Sequence, residues 1–263
     1  MFLIAEGTLP VCVVAHMDTV FPYQPLTFYY DKEQTTLWSP DGLGADDRSG
    51  IYAIIALIER GYRPSVVFTD LEERGAIGAS CLIERYPECP FKNCKAIIQL
   101  DRRGKSDSVF YDCDNAEFEE KINSYGFVTA RGTFSDISVI APQWNIAAVN
   151  LSCGYMDEHD YIETLNTTWL DETIEKVSNI LKDCNEWDKY IYIPRSYIPV
   201  VGGNWWDQSQ CVCCGRALKN GEGHYCNTTQ KKENDFKVCD NCYDDYFFKN
   251  WYGDIEEDSP QED

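Results

Sequence analysis

The chain is organised around residues 42–50, with the sequence Gly42-Leu43-Gly44-Ala45-Asp46-Asp47-Arg48-Ser49-Gly50. Small residues flank a pair of carboxylates there, and an apolar run at 51–58 follows directly. This pattern predicts a tight loop that delivers an acid to the start of a helix. Acids often cap helices, so the chemical meaning of Asp46 depends on the residues that the rest of the chain brings to it.

The regions outside this loop alternate between two kinds of apolar pattern. Continuous apolar runs predict buried strands at residues 11–15, 65–70, 95–100 and 145–151. Helical spacing predicts helices at residues 49–60, 75–86, 115–125 and 168–184. Residues 22–40 are predicted as a loop with at most one hairpin. The alternation favours an α/β fold, a three-layer sandwich with a largely parallel central sheet flanked by helices.

Metal-binding side chains follow the predicted strands in order. His16 follows the first strand, the pair Glu72–Glu73 the second and Asp101 the third, and His159 lies in the loop after the fourth. Ligand sites in such sheets lie just beyond the carboxyl ends of the strands. We therefore expect these residues to converge with Asp46.

These side chains form a ligand set that fits two divalent ions. It consists of His16, Asp46, Glu73, Asp101 and His159, with Asp46 as the bridge. Imidazole and carboxylate ligands together favour zinc. Asp18 is placed to accept the second N–H of the His16 imidazole and fix its tautomer. Glu72, adjacent to a ligand but not needed as one, is the natural general base.

Taken in order, the motifs resemble the co-catalytic dizinc exopeptidases, which include bacterial aminopeptidases, peptidase T, acylases and glutamate-type carboxypeptidases. The resemblance covers residues 10–185. It rests on His16-Met17-Asp18, the Gly-Ala-Asp-Asp loop at 44–47, the pair Glu72–Glu73, Asp101, and the His-x-x-x-Glu motif from His159 to Glu163. The run Gly132-Thr133-Phe134-Ser135-Asp136 is similar to the Gly-Thr-Ser-Asp loop that lines the family's substrate pocket.

The resemblance implies a metallohydrolase that cleaves peptide bonds with two zinc ions. Asp46 would be the bridging ligand, and Glu72 would activate a water held by the two ions. The resemblance also implies substrate contacts from Thr133, Ser135 and Asp136, and a cis peptide bond between Asp46 and Asp47. From the residues alone, Asp136 could equally cap the helix that follows it.

The chain departs from the family pattern in two places, and the second departure favours the family's compact, aminopeptidase-like branch. A short segment precedes His16, so the family's opening helix and edge strands are expected to be missing or replaced. The interval from Asp101 to His159 is too short for an inserted lid or dimerisation domain. The expected substrate is a small peptide. The alternatives are an amidase or deacylase acting on a small N-acyl compound, and a binding protein whose C-terminal zinc ribbon recruits a partner and whose hydrolase site is incidental.

The C-terminal region contains two C-x-x-C knuckles, Cys211 with Cys214 and Cys239 with Cys242. This spacing predicts a four-thiolate zinc site in a zinc-ribbon-like module. Cys213, His224 or Cys226 could replace one ligand. Basic and acidic residues are balanced in this region, so we expect a protein partner or docking on the catalytic domain, not nucleic acid.

The predicted domain organisation has four parts. They are a catalytic domain at 1–185, an aromatic linker at 186–210 that packs onto a partner surface, the cysteine module at 211–253 and a disordered acidic tail at 254–263.

Charge and cysteine content limit the possible partners and the cellular compartment. The formal net charge of −21 argues against nucleic acid and anionic membranes as partners. No apolar run approaches the ~20 residues of a membrane span, and the start of the chain lacks the basic region of a signal peptide. C-x-x-C pairs among 13 cysteines fit a reducing compartment. We therefore expect a cytoplasmic protein.

Overall fold

The structure is a computed structural model that describes residues 1–195, 224–226 and 236–238. The chain divides into two units, Met1–Ser196 and Tyr197–Asp263. In the second unit the described residues form two short antiparallel strands, His224–Cys226 and Phe236–Val238. The predicted zinc ligands Cys211, Cys214, Cys239 and Cys242 lie outside the described residues. No helix in the described part of the chain has both the length and the apolar character needed to cross a bilayer.

The first unit contains eleven strands and five α-helices in its described residues. Its strands are β1 (Phe2–Ala5), β2 (Val11–His16), β3 (Tyr29–Tyr30), β4 (Thr36–Trp38), β5 (Ser65–Thr69), β6 (Ala96–Arg102), β7 (Asp107–Val109), β8 (Val128–Ala130), β9 (Ala148–Ser152), β10 (Tyr155–Met156) and β11 (Thr164–Asn166). Its helices are α1 (Ala45–Glu59), α2 (Ile77–Arg85), α3 (Ala116–Asn123), α4 (Asp136–Trp144) and α5 (Thr167–Asp183). A 3₁₀ turn, Glu72–Arg74, precedes α2.

The main sheet has seven strands in the order β1-β5-β2-β6-β9-β7-β8. Its four central strands, β5, β2, β6 and β9, are parallel. Strand β1 is antiparallel at one edge, and β7 and β8 run antiparallel to the central strands at the other. The prediction of a largely parallel sheet is therefore confirmed, and the edges carry the antiparallel strands.

Helices cover both faces of this sheet, which makes the fold a three-layer α/β sandwich. Every residue of β2 is buried, as expected for a strand covered on both faces. Its alternate residues belong to different cores. Val13 packs in the core that also contains Ile54 of α1 and Val177 of α5. Val14 packs in the other core, with Leu82 of α2 and Ile140 of α4.

A second, four-stranded sheet lies beside the first, in the order β10-β11-β4-β3. Its antiparallel β3–β4 pair is the hairpin predicted within residues 22–40. Two predicted boundaries were wrong in ways that bear on the site. Asp101 lies within β6 and not beyond its end, because the strand continues to Arg102. The predicted helix at 75–86 starts later, at Ile77, because the 3₁₀ turn occupies the residues before it.

The segment after α5 packs against the rest of the first unit. Trp187 is buried in the same core as α1 and α5. The backbone of Tyr190 donates to Lys95 O and accepts from Ala147 N, and Cys113 forms a β-bridge with Pro194. The part of the predicted linker that the structure describes, up to residue 195, thus packs against the domain that precedes it.

Candidate metal centre

Asp46 lies in the first turn of α1, which is non-helical at Asp46 and Asp47, where the loop that enters this helix meets the carboxyl ends of the parallel strands. Gly44 before it has a left-handed backbone, with φ of 59°. The peptide bond between Asp46 and Asp47 is cis, as the resemblance implied. The two carboxylate oxygens of Asp46 face two different imidazoles, so one side chain connects two groups of ligands.

The first group, here called the His16 subsite, contains His16, Asp46 and Asp101. His16 Nε2 lies 2.9 Å from Asp46 Oδ1 and 3.5 Å from Asp101 Oδ1. His16 is buried at the end of β2. Burial by itself lowers its pKa, but hydrogen bonds and the charge of Asp101 outweigh burial and raise the pKa well above the usual value.

The second group, the His159 subsite, contains His159, Asp46 and Glu73. His159 Nε2 lies 3.3 Å from Asp46 Oδ2 and 2.9 Å from Glu73 Oε2. The histidine lies between β10 and β11 in a left-handed conformation, with φ of 67°. Hydrogen bonds to Asp46 and Glu73 raise its pKa to about 10. The five predicted ligands therefore converge, in two subsites that share Asp46.

Asp18 connects the His16 imidazole to the 3₁₀ turn that carries the two glutamates. Its Oδ1 lies 3.3 Å from His16 Nδ1, and its backbone carbonyl lies 3.0 Å from the same nitrogen. The carboxylate also accepts the backbone N–H groups of Glu72 at 3.0 Å and Glu73 at 3.2 Å. Asp18 thus contacts the His16 imidazole and also anchors the turn that positions Glu73 and Glu72, while its orienting role stays a prediction.

Glu72 is half-buried beside the His159 and His16 subsites. Burial, together with the negative charge of Asp101, raises its pKa to about 9. A carboxyl group with a raised pKa in a cleft lined by ligand-type side chains is a candidate acid–base group.

Glu163 lies beside the site, and sequence reasoning gave it no role beyond its place in a motif. It is buried, and its carboxylate accepts the backbone N–H groups of Gly44 at 2.5 Å and Asp46 at 3.0 Å. Burial raises its pKa to about 7. Glu163 therefore holds the loop that presents Asp46.

The predicted substrate residues have different surroundings. Ser135 is buried at the N-cap of α4 and donates from Oγ to Asp101 Oδ2 at 2.8 Å. Asp136 is fully buried and accepts a hydrogen bond from Thr69 Oγ1. The helix cap is thus Ser135 and not Asp136. Thr133 is exposed. Ser135 acts on a predicted metal ligand, while direct substrate contacts from these residues stay a prediction.

Asp101 is held by more hydrogen bonds than the sequence indicated. Its Oδ2 accepts from Gln99 Nε2 at 2.8 Å as well as from Ser135. Tyr155 OH donates to Oδ1 at 3.2 Å, and Asn150 accepts from the Asp101 backbone N–H at 3.0 Å. These hydrogen bonds fix the Asp101 side chain with its Oδ1 facing His16.

The donor set fits zinc. Two imidazoles and three carboxylates are the ligand types of co-catalytic zinc, and donor atoms of His16, Asp46 and Glu73 lie within 4.8 Å of one another. Glu73 Oε1 is buried without a hydrogen-bond partner, which is costly unless a cation satisfies it. Asp47 also approaches His16 and Asp101, but its oxygens accept backbone N–H groups of His16 and Gly50 at 3.1 and 3.0 Å.

Comparison with known proteins supports the fold. No protein-family model matches the chain, and no protein of curated function matches its sequence. Among solved structures, aminopeptidase PepT from Bacillus cereus superposes with a TM-score of 0.54 and 17% identity, over 70% of this chain and 84% of that one. A tripeptidase from Staphylococcus aureus superposes with a TM-score of 0.56 and 15% identity, over 71% and 84% of the two chains. The chain therefore has the α/β fold of these two peptidases.

Proposed function

We propose that this protein is a zinc-dependent aminopeptidase. The observation that carries the proposal is the pair of subsites that share Asp46, with His16 and Asp101 on one side and His159 and Glu73 on the other. The names of the two structural neighbours, an aminopeptidase and a tripeptidase, support the same activity.

The protein's own residues would divide the chemistry among them. Zinc ions held by the five ligands would polarise the peptide carbonyl and lower the pKa of a water, which could then lose a proton and attack that carbonyl. Glu72 would take the proton from that water and return it to the departing amine. Cations bound beside Glu72 would lower its raised pKa, so that the carboxylate form that takes the proton is available.

The side chains around the ligands would orient them. Asp18 would keep the His16 proton on Nδ1, so that Nε2 faces the Asp46 carboxylate. Glu163 would hold the backbone of the Asp46 loop. The acidic surroundings would also attract the free ammonium group of a peptide, which favours cleavage next to an N-terminus.

A pair of substrates tests this proposal. Leucine p-nitroanilide presents a free α-amino group, and N-acetyl-leucine p-nitroanilide differs only in masking it. We expect zinc-loaded protein to hydrolyse the first and not the second. Removal of acetate from N-acetyl-leucine without anilide hydrolysis would assign a deacylase instead. A zinc-loaded protein that acts on none of these compounds would contradict a hydrolase and favour a binding protein.

The zinc content and the compartment belong to the same proposal. Two ions at the metal centre and one at Cys211, Cys214, Cys239 and Cys242 give about three zinc ions per chain. Metal analysis of the Asp46→Asn variant should then find one zinc, retained by the cysteines. The seven cysteines of the first unit are free thiols, which suits the reducing cytoplasm.

A further inference from the structure

A cavity of about 680 Å³ lies between α1, the start of α5 and the four-stranded sheet. Leu43 and Ala45 line it, while the carboxylate of the intervening Asp46 contacts His16 and His159. The loop at residues 42–50 therefore separates the cavity from the metal centre. None of the five predicted metal ligands lines the cavity, so it is a different site.

The walls of the cavity suit an apolar ligand. Aromatic and aliphatic side chains form most of them, including Phe28, Tyr30, Leu37, Leu165 and Leu170. The volume lies within the roughly 300–1,000 Å³ range of small-molecule sites. The body of the ligand should thus be aromatic or aliphatic.

Arg48 is the cationic side chain of the cavity lining, and its positive charge indicates an anionic ligand. It is half-buried, and its Nη1 donates to Leu43 O at 2.5 Å. Among the described residues no carboxylate forms an ion pair with Arg48, although Asp171 also lines the cavity. Arginine is seldom withdrawn from water without an acidic partner, and Arg48 has none in the part of the chain that the structure describes, although this chain has 44 acidic residues against 23 basic ones.

We propose that this cavity binds a small monocarboxylic acid with an aromatic or aliphatic body, whose carboxylate accepts hydrogen bonds from Arg48. A guanidinium has five N–H donors in a planar fork, so the bond to Leu43 O leaves donors for a carboxylate. The apolar body would cover the cavity walls. This site does not depend on the proposed peptidase activity, because it shares no ligand with the metal centre.

Calorimetric titration of the full chain with 3-phenylpropanoate and 3-phenylpropanamide tests the proposal. The two probes share a body and differ in charge. We expect the acid to bind at least about tenfold more tightly than the amide, the difference that a charge-assisted hydrogen bond supplies. Arg48→Met should weaken binding of the acid by a similar factor. Arg63→Met is the matched control, since Arg63 also donates to backbone carbonyls without an acidic partner but is exposed and outside the cavity.

A carboxylate could also bind zinc, so the titration is repeated with His159→Ala. Unchanged affinity of this variant for 3-phenylpropanoate would support the cavity as the site. Loss of binding in His159→Ala would overturn the proposal and place the acid at the metal centre. Equal affinity for acid and amide would overturn it too, and this comparison on the wild-type protein holds even if Arg48→Met fails to fold.

Discussion

At the scale of single residues, Asp46 connects the His16 and His159 subsites through one carboxylate. Its Oδ1 contacts His16 and its Oδ2 contacts His159, and the two histidines lie on different elements. The convergence of the five predicted ligands was predictable because each belongs to a motif at or near a strand end. Glu163 was harder to assign, because its partners are the backbone N–H groups of Gly44 and Asp46, and no side-chain pattern marks a backbone contact.

Changing Glu72 to glutamine tests the general base. Glutamine keeps the shape of the side chain but cannot carry a proton from water to the amine. We expect turnover of leucine p-nitroanilide to fall by about 10²–10⁴-fold, with zinc content unchanged because Glu72 is not among the five ligands. Glu84→Gln, on the exposed side of α2, should keep full activity. Wild-type turnover in Glu72→Gln would remove Glu72 from the mechanism.

Changing Asp18 to asparagine tests whether Asp18 positions the His16 imidazole for zinc. Asn at this position keeps one acceptor oxygen but replaces the other with an amide, so it can no longer accept from His16, Glu72 and Glu73 together. Residues that orient metal-bound histidines typically change metal affinity by about 10–100-fold. We expect Asp18→Asn to bind zinc more weakly by that factor in competition with a chromophoric chelator. The exposed Asp188→Asn should match wild type, and equal affinity in both variants would contradict the role.

At the scale of elements, the buried strands were predictable and the short ones were not. Strand β2 is an unbroken apolar run, a pattern that fully buried strands share. Strands β7, β8 and β11 contain only three residues each, and β10 only two. Runs of that length contain too little alternation to indicate a strand. The four-stranded sheet that lines the cavity therefore went unpredicted, apart from its hairpin.

The contact between α1 and β6 depends on Gly50. A Cβ at this position would lie 1.8 Å from Leu100 O and 2.4 Å from Asp47 Oδ1. The first of these atoms is backbone and cannot rotate away, so α1 would have to move from β6. We expect Gly50→Ala to lower the free energy of unfolding by about 3 kcal/mol, the upper end of the usual overpacking cost, as measured by urea denaturation.

The control for Gly50→Ala is Glu59→Ala in the same helix. Glu59 is exposed near the end of α1, and alanine is a good helix former. The urea midpoint of the Glu59→Ala protein should therefore stay near that of wild type. A Gly50→Ala protein as stable as Glu59→Ala would mean that α1 can move away from β6 at little cost.

At the scale of the whole molecule, part of the acidic excess of this chain is concentrated at the metal centre. Four carboxylates, those of Asp46, Glu73, Asp101 and Asp18, contact two imidazoles. This concentration keeps protons on the histidines. The net charge was known from composition, but its focus at one edge of the sheet follows from the topology, which brings distant acids together.

Zinc binding should therefore release protons. The pKa of His159 is raised to about 10, so its imidazole carries a proton at neutral pH, and the pKa of His16 is raised in the same direction. Zinc binds only neutral imidazole, and its affinity should fall as the pH falls. Calorimetry at pH 7 in buffers of different ionisation enthalpy measures the protons released. His159→Gln should release fewer, by about one proton, while the cysteine module contributes equally to both proteins. An identical buffer dependence in wild type and His159→Gln would show that His159 loses no proton to zinc, and would remove it from the ligand set.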